Sequence, residues 1–497
     1  VKKVIFFMID SLMPHVLDEC IRKRLVPGLK FLIEKGVYWD QCTTVFPTMT
    51  ATVDCSLITG EYADIHKIPA LIWYNPEEKR LVNYINGMMP VLKLGMYTCA
   101  HDVICSLNES HLSKNVHTIY EDLEKAGKTS GSINLIAHRS SQKYPVKMPF
   151  LLKLGTMFRP FEDVSGPDVF TLGRVARSKL DPPLPWSWDE TLIGHYGIND
   201  HFATRVLCHL IRHQILPDFT MVYLPDNDHK VHRKPKEACQ ILKKVDDKIQ
   251  KVLNMFSSWE DAIQKHVFIL TGDHGQTLIG QAKDHNIDLD DHLKGLKIAD
   301  YAGPVKESDD LVIANNERMT NIYPLKPHVD TEIIYRLQQD PRIDLIAYKS
   351  DQWVEVRSGG KQESLRFCPE GSSVDIYGRS WTLEGNPAIL DLEISGSVTG
   401  EKVSFGDYPD VLSRLYGALF SQSCPIISCT AKPGYDFKSA YSPTHLGGGS
   451  HGSLHYIDST VPLIIAGAGQ DSPFENPRLV DLKGYILDLL TKTKHGF

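Results

Sequence analysis

Short blocks that are apolar throughout recur along the chain, separated by longer stretches in which apolar residues return every three or four positions. VIFFMI (4–9), FTMVYL (219–224), HVFILTG (266–272) and VPLIIAG (461–467) are blocks of the first kind. Runs of that length and composition predict strands covered on both faces. SGSINLI, beginning at Ser130, predicts another. KEACQILKKVDDKIQKVLNMF (236–256) has a spacing near 3.6 and predicts a helix. VPGLKFLIEKG predicts a helix opened by Pro27 and closed by Gly36, YEDLEKAG one that ends at Gly127, and residues 192–216 read as a single helix. This alternation predicts an α/β fold, with a mainly parallel central sheet and helices on both faces. Two regions break the rhythm. Residues 140–190, rich in Pro, Gly, Ser and aromatics, predict a cap or long loop. Residues 325–440 hold short alternating runs (IDLIAY, QWVEV, DIYGRSWTL) and predict a small inserted α+β subdomain, leaving 1–324 and 441–497 as the core.

Composition narrows the function classes. Apolar residues make up 42% and charged residues 23%, which is ordinary for a globular protein. Lys and Arg total 54 against 61 Asp and Glu, a formal charge of −7. That balance does not favour duplex nucleic acid as a partner. A small phosphorylated substrate stays open if metal ions bring the positive charge. No apolar run approaches the ~20 residues of a membrane span, so none is expected. VIFFMI leads into Asp10 rather than a small-residue cleavage site and does not read as a signal peptide; a leader removed before residue 1 stays open. The ten cysteines are scattered without a CxxC pair, which predicts reduced thiols and a cytoplasmic location rather than a disulfide framework. Oligomeric state leaves no trace in the sequence.

Three predicted strands run straight into acidic residues: Asp10, the segment Asp226-Asn227-Asp228, and Asp273-His274. In an open parallel sheet the carboxyl ends of the strands form the ligand edge, so these carboxylates are expected at one rim. A single Asp after a strand usually makes a turn or caps a helix. Three such ends, two of them beside His, point instead to bound metal. Asp228 and His232 are four apart and share a helix face; Asp226, six from His232, is the alternative ligand or a supporting group. Gly272 and Gly275 permit the irregular turn that would aim both Asp273 and His274 inward. HLGGGSHGSLHY places His451 among small residues, while His445 and His455 read as surface or supporting histidines. In FPTMTATVDCSLITG, Thr50 stands at the start of a helix-like run. A threonine there is ordinarily an N-cap, but the helix start also offers N–H groups to an anion. Beside divalent cations its hydroxyl could attack phosphorus.

Together these motifs resemble the alkaline phosphatase superfamily, and within it the type I phosphodiesterase/nucleotide pyrophosphatase family, with phosphonoacetate hydrolase as a near relative. The resemblance covers roughly 1–76, 219–276 and 445–467. That family places a Thr ten residues before the Gly of a TG pair, which Thr59-Gly60 matches to Thr50; its HGI appears as His66-Lys67-Ile68. Its DHG matches Asp273-His274-Gly275, its D-x-x-x-H pair matches Asp228 and His232, and its late HG histidine matches His451. The resemblance implies two divalent ions, zinc with manganese as the alternative. Asp10, Thr50, Asp273 and His274 would hold one, and Asp228, His232 and His451 the other. It also implies phosphodiester hydrolysis through a phospho-threonine at Thr50. A phosphonate (C–P) hydrolase and a phosphomonoesterase are the alternatives within the superfamily, and a metal-binding scaffold without catalysis is the alternative outside it. No sulfatase C/S-x-P-x-R motif surrounds Thr50. One departure stands out. The pyrophosphatases carry an Asn five residues after the HGI histidine, where this chain has Leu71, so its phosphate contacts are expected to differ. Lys67 reads as a surface residue, and Trp73 and Tyr74 as core rings. No substrate-binding residue or leaving group can be read from the sequence.

Overall fold

Alternate residues of the first strand, β1 (Lys3–Ile9), enter two different hydrophobic cores. Val4, Phe6 and Met8 join one cluster and Ile5, Phe7 and Ile9 another on the opposite face. Burial on both faces is why the run is apolar throughout instead of alternating with polar residues. The computed structural model describes residues 2–397, 400–469 and 472–491. The other strands of this sheet are β2 (Gly36–Thr43), β3 (Ser130–Ile133), β4 (Val169–Leu172), β5 (Ala176–Arg177), β6 (Phe219–Leu224), β7 (His266–Thr271) and β8 (Thr460–Ala466), in the order β2-β8-β7-β1-β6-β3-β4-β5. The five strands from β7 to β4 are parallel. β8 runs antiparallel to both β7 and β2, and β5 antiparallel to β4. The register pairs Ile9 with Leu224 and Met8 with Thr271. The residues that follow these three strands therefore leave the sheet side by side.

The helices that matter for the site are α1 (Thr50–Thr59), α2 (Asp200–Arg212), α3 (Asp226–Arg233) and α4 (Ala238–Leu253). α4 buries Ile241, Leu242, Val245, Ile249 and Val252, the stripe its spacing predicts. Its buried Asp246 accepts the Gly28 and Leu29 N–H groups (3.1 and 2.7 Å), satisfying donors at the start of the helix Pro27–Lys35. Two readings need correction. Residues 192–199 form no α-helix, only a distorted 3-10 turn at His195–Gly197. His195 and Tyr196 have positive φ, and α2 starts only at Asp200, where the Asn199 side chain accepts the Phe202 N–H at 2.8 Å. Nor is 140–190 all loop: β4 and β5 extend the central sheet, and Gln142–Tyr144 pairs with Val164–Gly166.

A second, nine-stranded sheet lies between Leu311 and Ala431. Its first hairpin, Leu311–Asn316 with Met319–Pro324, turns at Glu317-Arg318, upstream of residue 325. Arg318 is fully buried and ties this hairpin to the chain after His451. Its guanidinium donates to Asp458, to Thr277 Oγ1 (2.8 Å) and to the Ala431 carbonyl (2.9 Å), and its N–H donates to the His451 carbonyl (2.9 Å). Arg318→Met would strand the Asp458 carboxylate, itself fully buried. Removing one partner of such a pair costs about 3–5 kcal/mol, so the urea midpoint is expected to fall accordingly; an unchanged midpoint would show that the pair does not support the fold. All ten cysteines are unpaired, and no helix among the described residues is long and apolar enough to cross a membrane.

Candidate metal centre

The strand register delivers Asp10, Asp228, Asp273 and His274 to one rim, and the loop before β8 brings His451 to meet them. Two groups of side chains result. In the first, ligand atoms of Asp10, Asp273 and His274 lie within 4.8 Å of one another; in the second, those of Asp228, His232 and His451 do. The rings of His274 and His451 stack at 3.6 Å and 14°, so the two groups adjoin.

The first group is held rigidly from behind. Asp273 Oδ1 accepts the N–H groups of Ser11 (2.8 Å) and His274 (2.9 Å). The Tyr223 hydroxyl donates to Asp10 Oδ2, and Asn227 Nδ2 donates to the Asp10 carbonyl (2.8 Å). What remains is a set of acceptors aimed at each other. Asp10 Oδ1, Asp273 Oδ2 and His274 Nε2 are buried without hydrogen-bond partners, and His274 Nε2 lies 3.6 Å from Asp10 Oδ1 and 3.4 Å from Asp273 Oδ2. Burial, then the neighbouring Asp273 and Asp228 charges, push the Asp10 carboxyl well above its ordinary range.

The histidines share one orientation. Nδ1 faces a backbone carbonyl in each: Gly275 for His274 (3.0 Å), Gly449 for His232 (2.7 Å) and Thr48 for His451 (2.7 Å). This arrangement leaves Nε2 turned toward carboxylates, as metal-ligating histidines are held. His232 Nε2 is 3.2 Å from Asp228 Oδ1. Burial alone would depress His232, but Asp228 and Glu317 face it and hold it up at about 10; burial and the adjacent His274 drop His451 to about 4. Converging carboxylate oxygens and imidazole nitrogens suit zinc or manganese, and the unpartnered acceptors of the first group are placed so that they could hold a cation between them.

Asp228, rather than Asp226, stands in the second group. Asp226 accepts instead from Lys230 Nζ (2.8 Å) and donates its N–H to Asp200 Oδ1 (2.9 Å). Thr50 is the first residue of α1, half-buried, while Ala51–Thr59 are all buried. It lies two residues beyond Thr48, whose carbonyl meets His451 Nδ1 and whose hydroxyl accepts the Gly452 N–H (2.8 Å). His66 is buried and structural. Its Nδ1 accepts the Ile68 N–H (3.1 Å), so Nε2 donates to Ser56 Oγ (2.9 Å) and pins α1 to the next turn; burial drops its pKa to about 3. Lys67 Nζ donates to the Phe420 carbonyl (3.3 Å), Trp73 and Tyr74 are core rings, and Leu71 packs against the first core. His455 accepts the Ile457 N–H at the start of a short helix and belongs to neither group.

Four contributors escaped the sequence reading. Tyr223 and Asn227 flank Pro225 and could have been suspected from their position alone. Gln276 Nε2 donates to Asp228 Oδ1 at 2.5 Å. Glu317 is the largest omission: it arrives from the second sheet and lies 3.7 Å (Oε2) from His451 Nε2. Nothing local marks it, because its hairpin is more than forty residues from any other ligand in the sequence.

A mainly parallel central sheet with these acids and histidines gathered at its carboxyl edge is the architecture of an alkaline phosphatase-type fold. A sequence model of the type I phosphodiesterase/nucleotide pyrophosphatase family matches residues 4–454, and the chain belongs to that family. It is thus a phosphoric ester hydrolase, of a family that is generally metal-dependent. Among solved structures, the murine ectonucleotide pyrophosphatase/phosphodiesterase 5, an inactive threonine-to-alanine variant in complex with AMP, aligns over 100% of this chain and 96% of its own, with a TM-score of 0.60 and 14% identity. The human ectonucleotide pyrophosphatase/phosphodiesterase 5 aligns over the same shares with a TM-score of 0.59 and 16% identity. These likenesses establish the fold. No curated protein sequence matches the chain.

Proposed function

We propose that the protein hydrolyses phosphodiesters through Thr50, with one divalent cation held by Asp10, Asp273, His274 and Thr50 and another by Asp228, His232 and His451. The observation that carries this reading is the set of unpartnered buried acceptors on Asp10, Asp273 and His274, adjoining the Asp228 group through the stacked His274 and His451 rings. When bound, the cations would supply Lewis acidity to the attacking and leaving oxygens and offset the charge of the carboxylates. Thr50 Oγ1 attacks phosphorus in line as the P–O bond to the ester oxygen breaks, the hydroxyl proton ending on the released alcohol; water then cleaves the phospho-threonine P–O bond, releasing the phosphomonoester and restoring the Thr50 hydroxyl. The N–H groups of the first turn of α1 are available to stabilise the phosphoryl oxygens. The threonine-to-alanine substitution in the inactive murine relative supports the nucleophile, and its AMP supports a phosphorylated small molecule as ligand.

Lys67, the lysine nearest the motif, turns to a carbonyl, and the centre is rich in acids. A singly charged diester meets less repulsion there than a doubly charged monoester. With zinc or manganese, kcat/KM for bis-p-nitrophenyl phosphate is expected to exceed that for p-nitrophenyl phosphate by about tenfold or more, ~1.4 kcal/mol in barrier. Faster monoester turnover would move the assignment to a phosphomonoesterase. Bound metal with no turnover of either ester would favour the scaffold reading.

A further inference from the structure

A fourth histidine is also anchored through Nδ1, here by a carboxylate rather than a backbone carbonyl. His445 presents Nδ1 to Asp436 Oδ2 (3.0 Å) and turns Nε2 toward Glu317 Oε1 (3.9 Å). The Glu317 carboxylate thus stands between two imidazoles, with Oε2 toward His451 and Oε1 toward His445. Ser450 Oγ lies 3.0 Å from Glu317 Oε2 and 3.3 Å from Asp436 Oδ1, so its one hydroxyl proton can be donated to either acid. Ligand atoms of His232, Glu317 and His445 lie within 4.8 Å of one another, and the His232 and His445 rings are 4.9 Å apart. The backbone is shaped for this crowding: a Cβ on Gly448 would stand 2.3 Å from the His232 carbonyl oxygen.

We propose that Glu317 and His445 hold a third divalent cation beside the Asp228–His232–His451 group, with the Glu317 carboxylate bridging the two positions. This inference rests on the two-cation reading above. His232 Nε2 is committed to the Asp228 side, so the third ion takes Glu317 Oε1 and His445 Nε2 as its protein ligands, with water completing the shell. A carboxylate paired with an imidazole that is oriented by a second carboxylate is a donor set for zinc or manganese. Charge favours the extra ion. Five carboxylates, from Asp10, Asp228, Asp273, Glu317 and Asp436, surround the centre, more negative charge than two dications carry. An anionic ester adds to that excess. Arg318, the buried cation nearby, is bonded to Asp458.

The test is metal content of the full chain after equilibration with buffered zinc or manganese, together with anomalous diffraction at the metal edge. The expected result is about three equivalents, with a peak between Glu317 and His445. His445→Ala is expected to lose one equivalent and keep the other two. Asp436→Asn, which leaves His445 in place but unanchored, is expected to weaken the third equivalent about 10–100-fold. Thermal unfolding identifies a variant that does not fold, and the wild-type diffraction peak decides independently of any variant. Saturation of the wild type at two equivalents, or three retained in His445→Ala, overturns the proposal. Two equivalents leave the two-cation reading standing, whereas fewer than two would sink both.

Discussion

Thr50→Ala is expected to lower diester turnover on the order of 10⁴-fold or more while leaving the fold intact. A nucleophile that acts as a unit with its activating groups is lost entirely when removed, and only binding and charge stabilisation persist. The substitution reaches no core, since Thr50 is the half-buried first residue of α1 and the helix behind it is packed by Ala51–Thr59. Circular dichroism and the thermal midpoint are therefore expected to match the wild type. Thr50→Ser keeps a hydroxyl at the same Cβ and is expected to recover part of the activity. Wild-type turnover in Thr50→Ala would remove Thr50 from the mechanism.

Asp273→Asn is expected to act in opposite directions on metal binding and on the metal-free fold. The amide oxygen can still accept the Ser11 and His274 N–H groups, but the charge of the unpartnered Oδ2 is gone. Affinity for the first cation is expected to fall about 100-fold or more, since loss of even an outer partner of a ligand costs 10–100-fold. The metal-free protein, however, is expected to be more stable than the wild type, because Asp273 is one of the charges that raises Asp10. A carboxyl raised in the folded state keeps its proton longer there than in the unfolded chain. Its contribution therefore favours folding at low pH and is lost as the pH rises from the unfolded value, about 3.9, toward the higher folded one. Removing the neighbouring charge relieves that loss. Thermal midpoints in chelator and in excess zinc, for both proteins across pH, separate the two effects; a bound cation raises the wild-type midpoint by mass action. Unchanged zinc affinity in Asp273→Asn would break the ligand assignment.

How far the chain can be read without coordinates differs from element to element. β1, β6 and β7 are legible because both faces are buried, and α4 because one face is, so their periods survive in the sequence. β4 is not: VFTL is four residues long within a Pro- and Gly-rich stretch, too short to carry a period. The stretch 192–199 misled because its apolar Leu192 and Ile193 mimic helical spacing, yet both are exposed and the backbone turns at His195 and Tyr196.

Strand ends that share an edge in a parallel sheet point to Asp10, Asp273 and His274, and a four-residue spacing links Asp228 to His232 with Asp226 left open, whereas His451 rests on its small-residue setting and on the family resemblance. The choice of Asp228 over Asp226 depends on which side of α3 faces the sheet, and only packing decides that. Glu317 and His445 meet at the same centre because the second sheet folds its first hairpin against the glycine-rich loop before β8, a contact spanning more than a hundred residues. Such long-range contacts leave no period or spacing in the sequence; they exist only once both sheets have formed and packed together.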